Sequence, residues 1–183
     1  IGGLNAGPLN LFGLEGDAKL MANVVRDLAG LVRGSERNRL MGQLQALKVD
    51  RAMRDLLRRG SINQRILAAE ALVFFPDETA RHALIEAGRH APPRVRQAAL
   101  RALIDIGAAP PLSELLDSVI TGSDRASLLF SDLLQRATKS QIDDAIDALR
   151  RADLPRSVRL MLLTALGATR DGRALAPLLQ AAQ

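Results

Sequence analysis

From residue 17 onward, apolar positions recur at steps of three and four. Leu20, Met21, Val24, Val25, Leu28, Leu31 and Val32 fall on one face of a helix. Asp17 stands ahead of them as an N-cap, and Gly34 ends the run. A second helix is expected from Ser35, as N-cap, to Leu47, with Leu40, Met41, Leu44 and Leu47 facing inward. A third runs from Asp50 to Arg59 and closes at Gly60. Its apolar side is Ala52, Met53, Leu56 and Leu57. Residues 1–16 show no such period and hold five of the fourteen glycines. They read as a flexible leader or linker, or as a frayed terminus.

Beyond Ser61 the pattern repeats. Arg65, Arg96 and Arg159 are each followed, six and seven positions later, by Ala-Leu: Ala71-Leu72, Ala102-Leu103 and Ala165-Leu166. The offsets are 31 and 63, so a missing copy is predicted near position 127. There Ser127 replaces the arginine and Leu133-Leu134 replaces Ala-Leu. A period of this size marks stacked supersecondary units. Each unit reads as helix A, a short turn and helix B, over 61–91, 92–121, 123–152 and 154–183. In the second copy, helix A buries Val95, Ala99, Ala102, Leu103 and Ile106 and ends at Gly107. Pro110-Pro111 start helix B, where a missing N–H costs least. Pro177 marks either a kink in the last helix B or its beginning. Residues 17–60 are a divergent helical cap on these four hairpins.

Val95, Arg96, Ala99, Ala102, Leu103 and Gly107, then Val158, Arg159, Ala165, Leu166, Gly167 and Asp171, follow V-R-x-x-A-x-x-A-L and a Gly or Asp turn. This resembles HEAT repeats of the bacterial, phycobilisome-lyase-like type, over about residues 61–183. The resemblance implies an all-α fold, a right-handed α–α superhelix (HEAT-like solenoid), in which B helices line the concave face. Repeats of this kind serve scaffolds, adaptors, a few lyases and a few metal hydroxylases, so fold alone does not name the activity. The family also implies that the repeated Arg65, Arg96 and Arg159 are structural. Each would tie to a carboxylate in an adjoining turn, with Asp77 expected to serve Arg96; a ligand role is the alternative.

Composition agrees with a helical core. Apolar residues make up 48% of the chain but aromatics only 2%, so the interior is built from Leu, Ala, Ile and Val. Strands favour aromatic and β-branched residues instead. With no cysteine there are no disulfides and no thiolate metal sites. No apolar run approaches a membrane span, which needs about 20 residues. The first residue is Ile1, which points to a processed or excised chain. A cytoplasmic location is expected, with membrane-anchored or periplasmic placement as the alternative.

The net charge of +5 is carried almost wholly by arginine. Between Arg33 and Arg65 nine basic residues face only Glu36, Asp50 and Asp55. Arg37, Arg39, Arg51, Arg54, Arg58 and Arg59, with Lys48 nearby, form a basic patch. It would suit an acidic protein, an anionic membrane surface or nucleic acid. No aromatic stands beside these arginines to stack a base, which disfavours nucleic acid.

Glu78, His82, Glu86 and His90 recur every four residues on one helix, so His82, Glu86 and His90 are the metal candidates. The metal hydroxylases that the resemblance brings in use adjacent His-Glu dyads on several repeats. Here His82 precedes Ala83, His90 precedes Ala91, and no other repeat carries histidine. A solvated helix face or a pH-sensitive contact competes with the metal reading. On the B helices, Arg81 and Arg89 give way to Glu114 and Asp117, then Asp143, Asp144 and Asp147. A groove running from basic to acidic suits a peptide or helix carrying both signs of charge; an ordinary soluble surface is the alternative. No nucleophile elbow, zinc-protease motif or Gly-rich phosphate loop occurs. These readings predict a non-catalytic protein–protein scaffold or adaptor that needs no cofactor and binds a protein or peptide partner on the B-helix face. A lyase-chaperone-like or metal-dependent repeat enzyme is the first alternative. Nucleic-acid or anionic-surface binding through residues 33–65 is the second.

Overall fold

A computed structural model of the protein describes residues 18–31, 34–120 and 128–181. Among the described residues the chain is all-helical, with no strand. The helices are α1 (Ala18–Leu31), α2 (Ser35–Ala46), α3 (Val49–Arg59), α4 (Ile62–Leu72), α5 (Glu78–His90) and α6 (Pro93–Asp105). They continue with α7 (Leu112–Ile120), α8 (Leu128–Ser140), α9 (Ile142–Ala148), α10 (Arg156–Thr169) and α11 (Leu175–Ala181). A 3₁₀ turn, Gly172–Ala174, leads into α11. The proposed leader, the Asp17 cap, Val32 and Ser127 lie outside the described residues. No helix among the described residues is long and apolar enough to cross a membrane.

The chain divides into two compact units, one up to Ala83 and one from Leu84, with the boundary inside α5. In the first unit α4 packs on α1 and α3, α1 on α3, and α2 on α3. Ala22, Val25, Leu44, Val49, Met53, Leu57 and Leu72 are buried, and Ala68, Ala69 and Ala71 are fully enclosed. Alanines at these contacts let helix axes approach, while each buried Leu contributes roughly 2 kcal/mol.

Local chemistry sets the ends. Ser61 and Gln64 form a reciprocal capping box on α4: Gln64 Oε1 accepts from Ser61 N at 2.8 Å, and Ser61 Oγ accepts from Gln64 N. Three expectations for the cap change. The N-cap of α2 is Gly34, at φ 64°, not Ser35, which is the first helical residue. Leu47 is 47% exposed, because the chain turns there through Lys48 at φ 57° and starts α3 at Val49 rather than Asp50. Gly60 does follow α3, but with extended backbone; Leu56 O would lie 2.7 Å from a Cβ at Gly60, which bars a larger residue.

In the second unit alternate helices contact one another: α6 packs on α8 and α8 on α10, while α7 packs on α9 and α9 on the 3₁₀ turn. The Ala-Leu pairs mark the first row. Ala102, Leu103, Ala165 and Leu166 are buried, and so are Leu133 and Leu134, the substitutes in the degenerate copy. Val95, Ala99, Val158 and Leu162 are buried beside them, while Ile106 is only partly covered. Gly107, at φ 73°, ends α6. Ala108 N donates to Leu103 O at 2.8 Å and Gly107 N to Ile104 O at 3.0 Å, the double closure that a left-handed residue permits. Pro110 and Pro111 sit just ahead of α7 rather than inside it. Pro177 is the third residue of α11, so it marks the start of that helix and not a kink.

Candidate functional site

Two of the repeated arginines grip backbone. Arg65 Nε donates to Leu57 O at 2.8 Å. Arg159 donates from Nη1 to Leu149 O and from Nη2 to Arg151 O at 3.0 Å. These carbonyls lie at or just past the ends of α3 and α9, where helices leave acceptors unpaired. The expected carboxylate partner is thus replaced by orphan carbonyls. Asp77, expected to serve Arg96, caps its own helix: it accepts from Thr79 Oγ1 and Ala80 N, both at 2.7 Å, with Arg54 at 3.9 Å. Burial pushes the Asp77 carboxyl up, but these hydrogen bonds and the Arg54 charge outweigh it and hold the pKa below the usual value. The guanidinium of Arg96 makes no hydrogen bond or ion pair with any described residue, unlike its counterparts.

The charges of α5, α7 and α9 are largely paired, with one another or with arginines outside these helices. Arg81 meets Glu78 at 3.1 Å, while its Nε is buried without an acceptor among the described residues. Arg89 meets Glu114 at 3.1 Å, and Asp117 meets Arg151 at 2.7 Å. Asp143 meets Arg173 at 2.8 Å, and Asp147 meets Arg150 at 2.9 Å. Asp144 lies with Asp147 and Arg151 in a shallow hollow. Most of the expected acidic end is therefore matched by Arg150, Arg151 and Arg173. Exposed pairs of this kind contribute under about 1 kcal/mol each, so they set register more than stability.

Sequence reasoning passed over Arg136, Gln141, Arg151 and Arg173. Arg136 bridges Asp132 at 3.0 Å and Asp105 at 3.1 Å. Gln141 accepts from Leu112 N at 2.8 Å and donates to Pro110 O at 2.9 Å, joining two turns. Arg173 clasps Asp171, whose carboxyl falls to about 2 because of that side-chain bond. Arg151 holds Asp153 and Asp117, which raises its own pKa and lowers that of Asp153. Several of these partners stand 30 or 31 residues apart, so the repeat period itself was the available signal.

The other candidates do not assemble. His82, Glu86 and His90 are exposed, and among the described residues no three acidic, His or Cys side chains stand close enough to hold a metal ion. In the basic patch Arg39, Arg51, Arg58 and Arg59 are exposed. Arg54 is not part of that surface: it is half-buried and bonded to Asp50 at 2.8 Å. The Arg37 side chain lies outside the described residues.

Two clefts occupy related places in the second unit. One, of about 470 Å³, is lined by Ile85, Gly88, Leu100, Leu103 and Leu115, with Arg96, Arg89 and Glu114 among its polar groups. The other, of about 660 Å³, contains Arg159, Leu163 and Pro177, each 63 positions after Arg96, Leu100 and Glu114. Both fall in the size range of ligand and peptide-anchor sites. Comparison with protein-family models, with curated proteins and with solved structures finds no match to this chain.

Proposed function

We propose that the chain is a non-catalytic interaction module: HEAT-like hairpins stacked as a right-handed superhelix, binding a protein or peptide partner along the B-helix side. The observation that carries this reading is the alternation of contacts in the second unit, where α6, α8 and α10 pack in one row and α7, α9 and the 3₁₀ turn in another. Helices packed in rows present their side chains in series, which suits an extended partner better than a single small substrate. Clefts recurring at one place in the repeat supply the anchors.

Affinity capture on the immobilised chain tests the reading. A specific protein is expected to be retained in near-stoichiometric amount and released when Asp144→Lys and Asp147→Lys reverse charge on α9. Retention unaffected by these changes and by the cleft variants below would count against a B-side interface.

A further inference from the structure

We infer that the cleft between α5, α6 and α7 takes one apolar side chain of a partner peptide together with an adjacent carboxylate, which pairs with Arg96. The inference rests on the interaction reading above and names the chemistry of its partner.

The decisive comparison is internal. At equivalent places Arg65 donates once and Arg159 twice to carbonyls at or just past the preceding helix end. The residue eight positions before Arg96 is Gly88, matching Leu57 before Arg65 and Arg151 before Arg159. Yet Arg96 donates to no described residue, although Gly88 lines the same cleft. A half-buried guanidinium without an acceptor loses hydration and gains nothing from protein, which favours an anionic ligand.

Charge counting gives the sign of the ligand. Arg89 is matched by Glu114 at 3.1 Å, which leaves Arg96 as the uncompensated charge among the described residues lining the cleft. The apolar wall gives the rest. Leu100 closes on Gly88, where an added Cβ would meet Leu100 Cδ2 at 3.1 Å, so glycine keeps this floor open. Leu103 and Leu115 continue the wall. One cation over an apolar floor fits a Leu-Glu or Leu-Asp step. A phosphate group would call for several convergent donors.

The test uses the intact, ¹⁵N-labelled chain and an acetylated, amidated tetrapeptide of leucine followed by glutamate, flanked by serines. Expected are saturable amide shifts at Gly88, Arg96 and Ala108. Replacing the glutamate by glutamine in the peptide, or making Arg96→Gln, weakens binding at least about tenfold. Arg96→Lys retains part of it. Glu114→Gln frees Arg89 and tightens binding about twofold, an outcome that no folding defect would mimic. Thermal melting of Arg96→Gln is expected to match the unaltered chain. Equal binding of the glutamate and glutamine peptides would overturn the inference, as would the absence of shifts at millimolar peptide. Octanoate binding as tightly as the peptide would overturn the peptide assignment. Should the peptide fail while affinity capture still depends on Asp144 and Asp147, only the cleft inference falls; should both fail, the interaction reading falls with it.

Discussion

Replacing Arg159 by glutamine separates a structural arginine from a ligand-binding one. In the folded chain Arg159 donates two charge-assisted hydrogen bonds, to Leu149 O and Arg151 O. Bonds to charged groups contribute about 1.5–3 kcal/mol each when fully buried. Arg159 is half-buried and water can reach part of the site, so the pair together is worth about 2–3 kcal/mol. Glutamine keeps much of the stem but cannot span both carbonyls. For a chain of this length 1 kcal/mol shifts the melting midpoint by about 2–4 °C, so Arg159→Gln should lower it by roughly 4–12 °C. Arg96→Gln, which breaks no bond to a described residue, should change it by less than about 2 °C. Thermal unfolding followed by circular dichroism gives both values under one protocol. Equal losses in the two variants would refute the distinction between the arginines, and so would a neutral Arg159→Gln.

Gly60→Ala should cost about 1–3 kcal/mol, because the new Cβ would lie 2.7 Å from Leu56 O, a backbone atom that cannot swing away; chemical denaturation checks this. Gln141→Ala removes both bonds between the two turns and should cost about 1–2 kcal/mol, with faster amide exchange at Leu112. Leu134→Ala, in the degenerate copy, should cost about 2–5 kcal/mol, as expected of a fully enclosed leucine. The Asp171 carboxyl should titrate near 2 by NMR and move toward 3.8 in Arg173→Gln. Its folded pKa is depressed, so its contribution is complete above the unfolded value of 3.8 and is lost as pH falls from there through about 2.

The helices were legible because burial imposes periodicity. The spacing of Arg96, Ala102-Leu103 and Gly107 predicted α6 and its end at Gly107, and both appear; the left-handed backbone at Gly107 is what the structure adds. The repeat offset placed the degenerate copy near position 127, and Leu133 and Leu134 are buried there, since the position demands burial and not a particular residue. Where a turn is short, sequence failed. Leu47 has the right spacing to be buried, but Lys48 reverses the chain before it is covered. The charges failed for another reason. Asp117, Asp143 and Asp147 looked like one acidic surface because the pattern of B-helix charges took no account of Arg151, Arg173 and Arg150, which pair with them. Arg96 is the sharpest case. It shares its sequence context with Arg65 and Arg159, and only the bonds around each separate one arginine from the other two.

The most direct test of an interaction module is a site-by-site photo-crosslinking scan in cells that make the protein. A photoreactive side chain would be placed in turn at His82, Glu114 and Asp144 on α5, α7 and α9, and at Arg101 and Gln135 on α6 and α8, all exposed positions. The account predicts one protein species captured from the α5, α7 and α9 positions and none from α6 and α8. Capture from α6 and α8 alone, or no specific species from any position, would contradict it.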